Sequence, residues 1–149
     1  ETDIVKLQGT SSSSYNGDVI AGFEINAPDK LDFISNGARI NGSSTTAVDT
    51  NDTVDNSTAF IAVGTNVTEG AAATISQATA GINAGTFDST GSNDRIYIGW
   101  DNGTNTFIGL VTADRNSDGF VGDTLSLICT LSGLADCSSL TGSNFFDFS

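Results

Sequence analysis

The sequence predicts a mostly β fold: an antiparallel sandwich or meander with one short helix and an oxygen-rich loop between two strands. Three observations carry this expectation. Short apolar segments recur along the chain, separated by Asn-Gly dipeptides and clusters of Ser, Thr, Asn and Asp. Two of them, Arg95-Ile-Tyr-Ile-Gly-Trp100 and Asn105-Thr-Phe-Ile-Gly-Leu-Val111, flank Asp101-Asn102-Gly103-Thr104. That is a hairpin signature, because Asn-Gly accepts the positive φ of the favoured turns. Only one stretch, Glu69 to Ala80, has the alanine-rich composition of a helix.

Taken in order, Asp3-Ile-Val-Lys-Leu-Gln8 alternates as a first strand, and Ser11 to Ser14 with Asn16-Gly17 make a loop. Asp18-Val-Ile-Ala-Gly-Phe23 reads as a second strand. Asp29-Lys-Leu-Asp-Phe-Ile34 reads as a third, entered through Pro28, the one proline. Asn36-Gly37 and Asn41-Gly42 mark tight reversals. Residues 43–58 are rich in Ser, Thr, Asp and Asn and predict a long surface loop. Ala59 to Gly64 reads as a buried strand. Thr68 is placed to cap a helix over 69–80, Glu69 suits its first turn, and Gly81 stops it. After the hairpin, Phe120 to Leu131 predicts a long strand with Leu125, Leu127 and Cys129 on one face and Ser126, Ile128 and Thr130 on the other. The chain closes on Phe145, Phe146 and Phe148, readable as a last core strand or as a recognition tail.

Ahead of that long strand stands Asp114-Arg-Asn116-Ser-Asp118-Gly119-Phe120-Val-Gly-Asp123. Side-chain oxygens fall at its first, third and fifth positions, a glycine at the sixth and a carboxylate at the tenth. Calcium takes six to eight oxygens at about 2.3–2.6 Å, and alternate residues of a tight loop converge on one point. Gly119 allows the sharp turn, and the Phe120 carbonyl stands where a backbone ligand is expected. The usual glutamate at position twelve is replaced by Leu125, so Asp123 or water must complete the shell. The loop therefore predicts Ca2+ held by Asp114, Asn116, Asp118, Phe120 and Asp123; the alternative is a polar turn between strands.

Composition narrows function further. Eighteen acids face five bases, a net charge of −13, which disfavours nucleic acid and anionic membranes as partners. No apolar run approaches the roughly 20 residues of a membrane-spanning helix. Without histidine there is no Ser-His-Asp or Cys-His machinery and no imidazole base. Nothing in the sequence marks a carboxylate pair for glycoside hydrolysis, so no enzyme is expected. The length suits one extracellular β-rich domain over 1–149. A chain beginning at Glu1 without methionine predicts a processed product or a fragment. Cys129 and Cys137 are spaced for a disulfide closing a short loop, with two buried thiols as the alternative. Asn-x-Ser/Thr sequons occur at Asn41, Asn51, Asn56, Asn66 and Asn102, as expected incidentally in a chain of this composition.

Two pieces of the chain resemble the end of type I-secreted proteins of the repeats-in-toxin (RTX) class. Asp18-Val-Ile-Ala-Gly-Phe23 followed by Asp29-Lys30-Leu31-Asp32-Phe33 is similar to the strand pair that caps a calcium β-roll in secreted proteases, adhesins and surface-layer proteins. The run from Arg95 to Phe148, a hairpin, a D-x-N-x-D-G loop, an apolar strand and a Leu-Thr-x-x-x-Phe ending, resembles their C-terminal segment and secretion signal. The glycine-rich nonapeptide of a β-roll is absent, so stacked calcium ions are not implied. The resemblance implies calcium at Asp114, Asn116, Asp118 and Asp123, with a weaker role for Asp18.

The resulting expectation is a non-catalytic, calcium-stabilised extracellular structural protein that assembles with copies of itself at a cell surface. The edges to test are the strand from Asp3 and the aromatic tail. The alternatives are a calcium-dependent carbohydrate-binding or adhesion module, or an accessory domain of a larger secreted hydrolase. In the first alternative Trp100, Tyr97 and Phe107 would offer a stacking surface to a cell-surface polysaccharide. Those aromatics read more readily as core.

Overall fold

A computed structural model describes residues 3–7, 17–26, 29–33, 54, 60–88 and 94–145. Its strands follow the apolar segments: β1 (Ile4–Leu7), β2 (Asp18–Ala21), β3 (Lys30–Phe33), β4 (Phe60–Asn66), β5 (Arg95–Asp101), β6 (Thr106–Thr112) and β7 (Thr124–Ser132). Five of them form one sheet in the order β2-β7-β6-β5-β4, and β1 pairs with β3 in a second. The protein is mostly β. Apart from Val54, the expected loop over 43–58 lies outside the described residues, as does the chain beyond Phe145.

Strands β5, β6 and β7 make the expected antiparallel meander. The other pairings correct the expectation of an antiparallel sheet: β4 joins β5, β2 joins β7 and β1 joins β3 in parallel. The main sheet is therefore mixed. Parallel neighbours cannot be linked by a tight turn and need a long crossover. Residues 67–94 are that crossover between β4 and β5, which explains why the helical stretch lies there.

The helix itself is shorter than the expected 69–80. It breaks into a 3-10 turn, Gly70–Ala72, and a single α turn, α1 (Ile75–Ala78). Ala73 at ψ 136° and Thr74 at ψ 163° are both extended, so the first turn cannot run on into α1. Thr74 rather than Thr68 then caps α1, its N–H donating to the Gln77 side chain at 2.8 Å.

The main sheet is covered on both faces, and Ile96, Tyr97 and Ile98 are accordingly all buried. On one face Tyr97, Ile108, Leu110, Cys129 and Leu131 meet Leu7, Leu31 and Phe33 of the small sheet. Leu140 and Phe145 from the C-terminal segment complete that layer. Phe33 stacks on Tyr97 at 4.6 Å, and Phe145 packs on Phe60 at 4.8 Å. Phe145 thus fits the core reading of the tail. On the other face Ile96, Ile98, Trp100, Phe107 and Val111 meet Val67, Ala78, Ile82 and Phe87 of the crossover. Trp100 Nε1 donates to the Gly70 carbonyl at 2.9 Å.

Two glycines set the spacing of these layers. A Cβ on Gly99 would fall 2.5 Å from Cys137 Sγ and 2.9 Å from Phe60 Cζ. On Gly109 it would fall 2.7 Å from Leu125 Cδ1 and 2.9 Å from Trp100 Cζ3. Each glycine admits the bulk of a neighbour from its own face of the sheet.

A bulge changes the facing of β7. Ile108 pairs with Cys129 but Gly109 pairs with Leu127, leaving Ile128 as the extra residue. The alternation flips there. Leu125 and Leu127 pack toward the crossover, whereas Ile128, Cys129 and Leu131 join the opposite layer, correcting the expected grouping of Leu125, Leu127 and Cys129. The expected disulfide is also corrected, because Cys129 and Cys137 are two buried thiols. The Cys137 sulfur sits over Gly99 on β5, while Cys129 is on β7, with β6 between. Two strand spacings, roughly 10 Å, exceed what a disulfide spans. Burial, aided by the Asp18 carboxylate, pushes the Cys129 thiol up to about 12, so it stays protonated and inert.

Candidate metal centre

The register brings three chain segments to one end of the main sheet. β5 starts there at Arg95 opposite Thr112, the end of β6, which in turn faces Thr124, the start of β7. The loop joining β6 to β7 is the oxygen-rich stretch from Asp114 to Asp123. The crossover returns at the same end, with the Ala113 N–H donating to the Asp94 carbonyl at 2.9 Å. It also delivers Asp88.

Within the loop, Arg115, Ser117 and Gly119 take positive φ of 75°, 58° and 81°. Left-handed residues at every second position turn successive N–H groups inward, making a cradle for anionic oxygen. The Asn116 N–H and Nδ2 donate to the two oxygens of Asp114 at 2.9 and 2.6 Å. The Asp114 N–H donates to Asp123 Oδ1 at 2.8 Å, and the Ser117 N–H to Asp88 Oδ2 at 2.8 Å. Gly122, at φ 81°, lets a carboxylate come close: a Cβ there would lie 2.6 Å from Asp114 Oδ2.

The outcome is a triad. One carboxylate oxygen from each of Asp88, Asp114 and Asp123 lies within 4.8 Å of the others, a spacing that could hold a metal ion. Asp88 is 0% exposed and Asp123 8%, yet Asp88 Oδ1 and Asp123 Oδ2 accept no hydrogen bond from the described residues. A buried carboxylate oxygen without a donor bears its full desolvation cost, and a bound cation is one way to offset it. Burial pushes Asp123 up to about 6. The Asp114 N–H opposes that shift, while the charges of Asp88, Asp114 and Asp118 add to it.

Of the residues singled out from sequence, Asp114 and Asp123 enter the triad, and Asn116 braces Asp114. Asp118 is exposed and stands outside the triad, acting on Asp123 through its charge. The Phe120 side chain packs on Phe87, ring centroids 5.2 Å apart. Asp18 sits on β2, opposite Cys129, and is not part of the triad. Asp88 was not anticipated. It follows Phe87 in the crossover with no spacing relation to the loop, and only the parallel β4–β5 connection carries it there.

The aromatics proposed for sugar stacking are core residues: Trp100, Tyr97 and Phe107 are all buried. That removes the surface on which the carbohydrate alternative relied. The Asn102 side chain accepts from the Thr104 and Asn105 N–H groups and shapes its hairpin turn. Among the described residues, no helix is long and apolar enough to cross a membrane. Comparison with protein-family models, curated proteins and solved structures gave no match to this chain.

The raised Asp123 carboxyl makes a prediction for the metal-free protein. A folded-state value near 6, above the ordinary value of about 3.9, contributes stability that is full at low pH and lost as pH rises through 6. In EGTA, the melting temperature is expected to rise as pH falls from 7 to 5. Asp123→Asn is expected to flatten that rise. A wild-type melting temperature that falls over this interval, or a slope unchanged by the substitution, would contradict it.

Proposed function

We propose that the protein is a non-catalytic, extracellular structural protein that binds calcium at the β6–β7 loop and assembles with copies of itself in a surface layer, fibre or matrix. The single observation that carries the calcium reading is the pair of buried, donorless carboxylate oxygens, Asp88 Oδ1 and Asp123 Oδ2, within an all-aspartate triad. Carboxylates brought together from two irregular chain segments suit calcium, which accepts flexible geometry, better than magnesium, which demands near-octahedral geometry. The resemblance to the ends of RTX-class secreted proteins agrees with an extracellular role. A chain without histidine, whose two cysteines are buried, offers little nucleophilic machinery and supports the structural reading.

Assembly through sheet edges is supported by β1, whose one partner among the described residues is β3, and by exposed Val19 on β2, at the margin of the main sheet. The test is a calorimetric titration of the metal-stripped protein with calcium chloride, followed by electron microscopy with and without calcium. Saturable binding of one ion and calcium-dependent filaments or lattices are expected. An empty titration removes the metal role. Dispersed particles in both conditions remove the assembly role.

A further inference from the structure

We propose that Asp88 is a direct ligand of the bound cation, so that the ion is a joint between the crossover and the main sheet rather than a brace within one loop. The inference rests on the calcium reading above and makes a ligand of a residue from outside the loop. The loop lacks an acidic group where a calcium loop usually ends, since position twelve is Leu125, a partly buried apolar residue packed toward the crossover layer. Asp88 makes good that deficit. It is wholly buried, its Oδ2 is occupied by the Ser117 N–H, and its Oδ1 has no donor. One of its oxygens lies within 4.8 Å of oxygens from Asp114 and Asp123.

Independent contacts show the two segments fitted to each other around this point. Phe87 packs on Phe120, and Gly119 approaches Ala84 so closely that a Cβ at 119 would lie 3.0 Å from the Ala84 Cβ. Asp88 also has φ 54°, a conformation uncommon for an L residue, held by the turn and by its N–H donating to Asp94 Oδ2 at 3.2 Å. Three carboxylates brought this close repel one another when ionised, and two of them are buried. Without a cation the crossover therefore presses its own charge against the loop. With one, the same charge draws the two together.

The test uses the full chain as wild type, Asp88→Asn and Asp114→Asn, titrated with calcium chloride, with hydrogen exchange measured in calcium and in EGTA. Asparagine keeps the shape of Asp88 and an acceptor for Ser117 while removing the charge, so the variant is expected to fold. Its metal-free form is expected to melt no lower than the metal-free wild type. Its calcium affinity is expected to fall on the order of a hundredfold, the scale on which ligand charge tunes such sites. In the wild type, calcium is expected to slow exchange in residues 82–88 as well as in 114–123, and in Asp88→Asn to lose the protection over 82–88. Wild-type affinity in Asp88→Asn, with protection confined to 114–123, overturns the joint while leaving calcium binding by the loop intact. No calcium binding by the wild type overturns both.

Discussion

Adding calcium to the metal-free protein, at about a hundred times its dissociation constant, is expected to raise the melting temperature by about 5–10 °C. Binding to the native state alone at that excess contributes about 2.7 kcal/mol. For a chain of this length each kcal/mol moves the midpoint by about 2–4 °C. The shift is expected to vanish in Asp123→Asn, since Asp123 supplies a buried oxygen to the triad and accepts the Asp114 N–H through the other. It is expected to persist, diminished, in Asp118→Ala, whose carboxylate lies outside the triad. Scanning calorimetry in calcium and in EGTA measures both. Equal midpoints in the two conditions would falsify the stabilising role of the ion.

Trp100→Ala is expected to destabilise the protein by about 3–5 kcal/mol, the range for removing a buried large aromatic. Trp100 is 1% exposed and stacks on Phe107 at 5.9 Å between centroids. Its indole fills the space that Gly109 leaves open, and its Nε1 ties the sheet to Gly70 at the start of the crossover. Alanine would leave a cavity and an unsatisfied carbonyl together. Trp100→Phe separates the two contributions, because it keeps most of the bulk and loses the hydrogen bond, at about 1–3 kcal/mol for a buried group left unpaired. Urea unfolding of the three proteins measures the difference. A loss under about 1 kcal/mol in the alanine variant would mean that the crossover is not packed on this face.

All seven described strands were legible because their cues are local. Alternation marked β1, short apolar segments between turn residues marked β2 and β3, and Asn102-Gly103 marked the β5–β6 hairpin. The apolar run at the start of β4 marked a buried strand. Pairing direction was not legible. Nothing in Phe60 to Asn66 states that its neighbour will be β5 in parallel, since that follows from a crossover whose helical part is too short to announce itself. The facing of Cys129 depended on a single extra residue in β7, and one inserted position reverses every later side chain. One of the three triad carboxylates shared the same limit. Asp114 and Asp123 stand in a recognisable run, whereas Asp88 is an ordinary aspartate until the chain is folded.

Gly99 has a consequence for how this sequence can vary. The position is one half of a lock whose other half is Cys137 together with Phe60, so enlargement at 99 demands shrinkage opposite. A relative with alanine at 99 should carry glycine or alanine in place of Cys137, or a smaller ring-free residue in place of Phe60. Variation at these three sites is therefore expected to be correlated, because volume added on one side must be surrendered on the other.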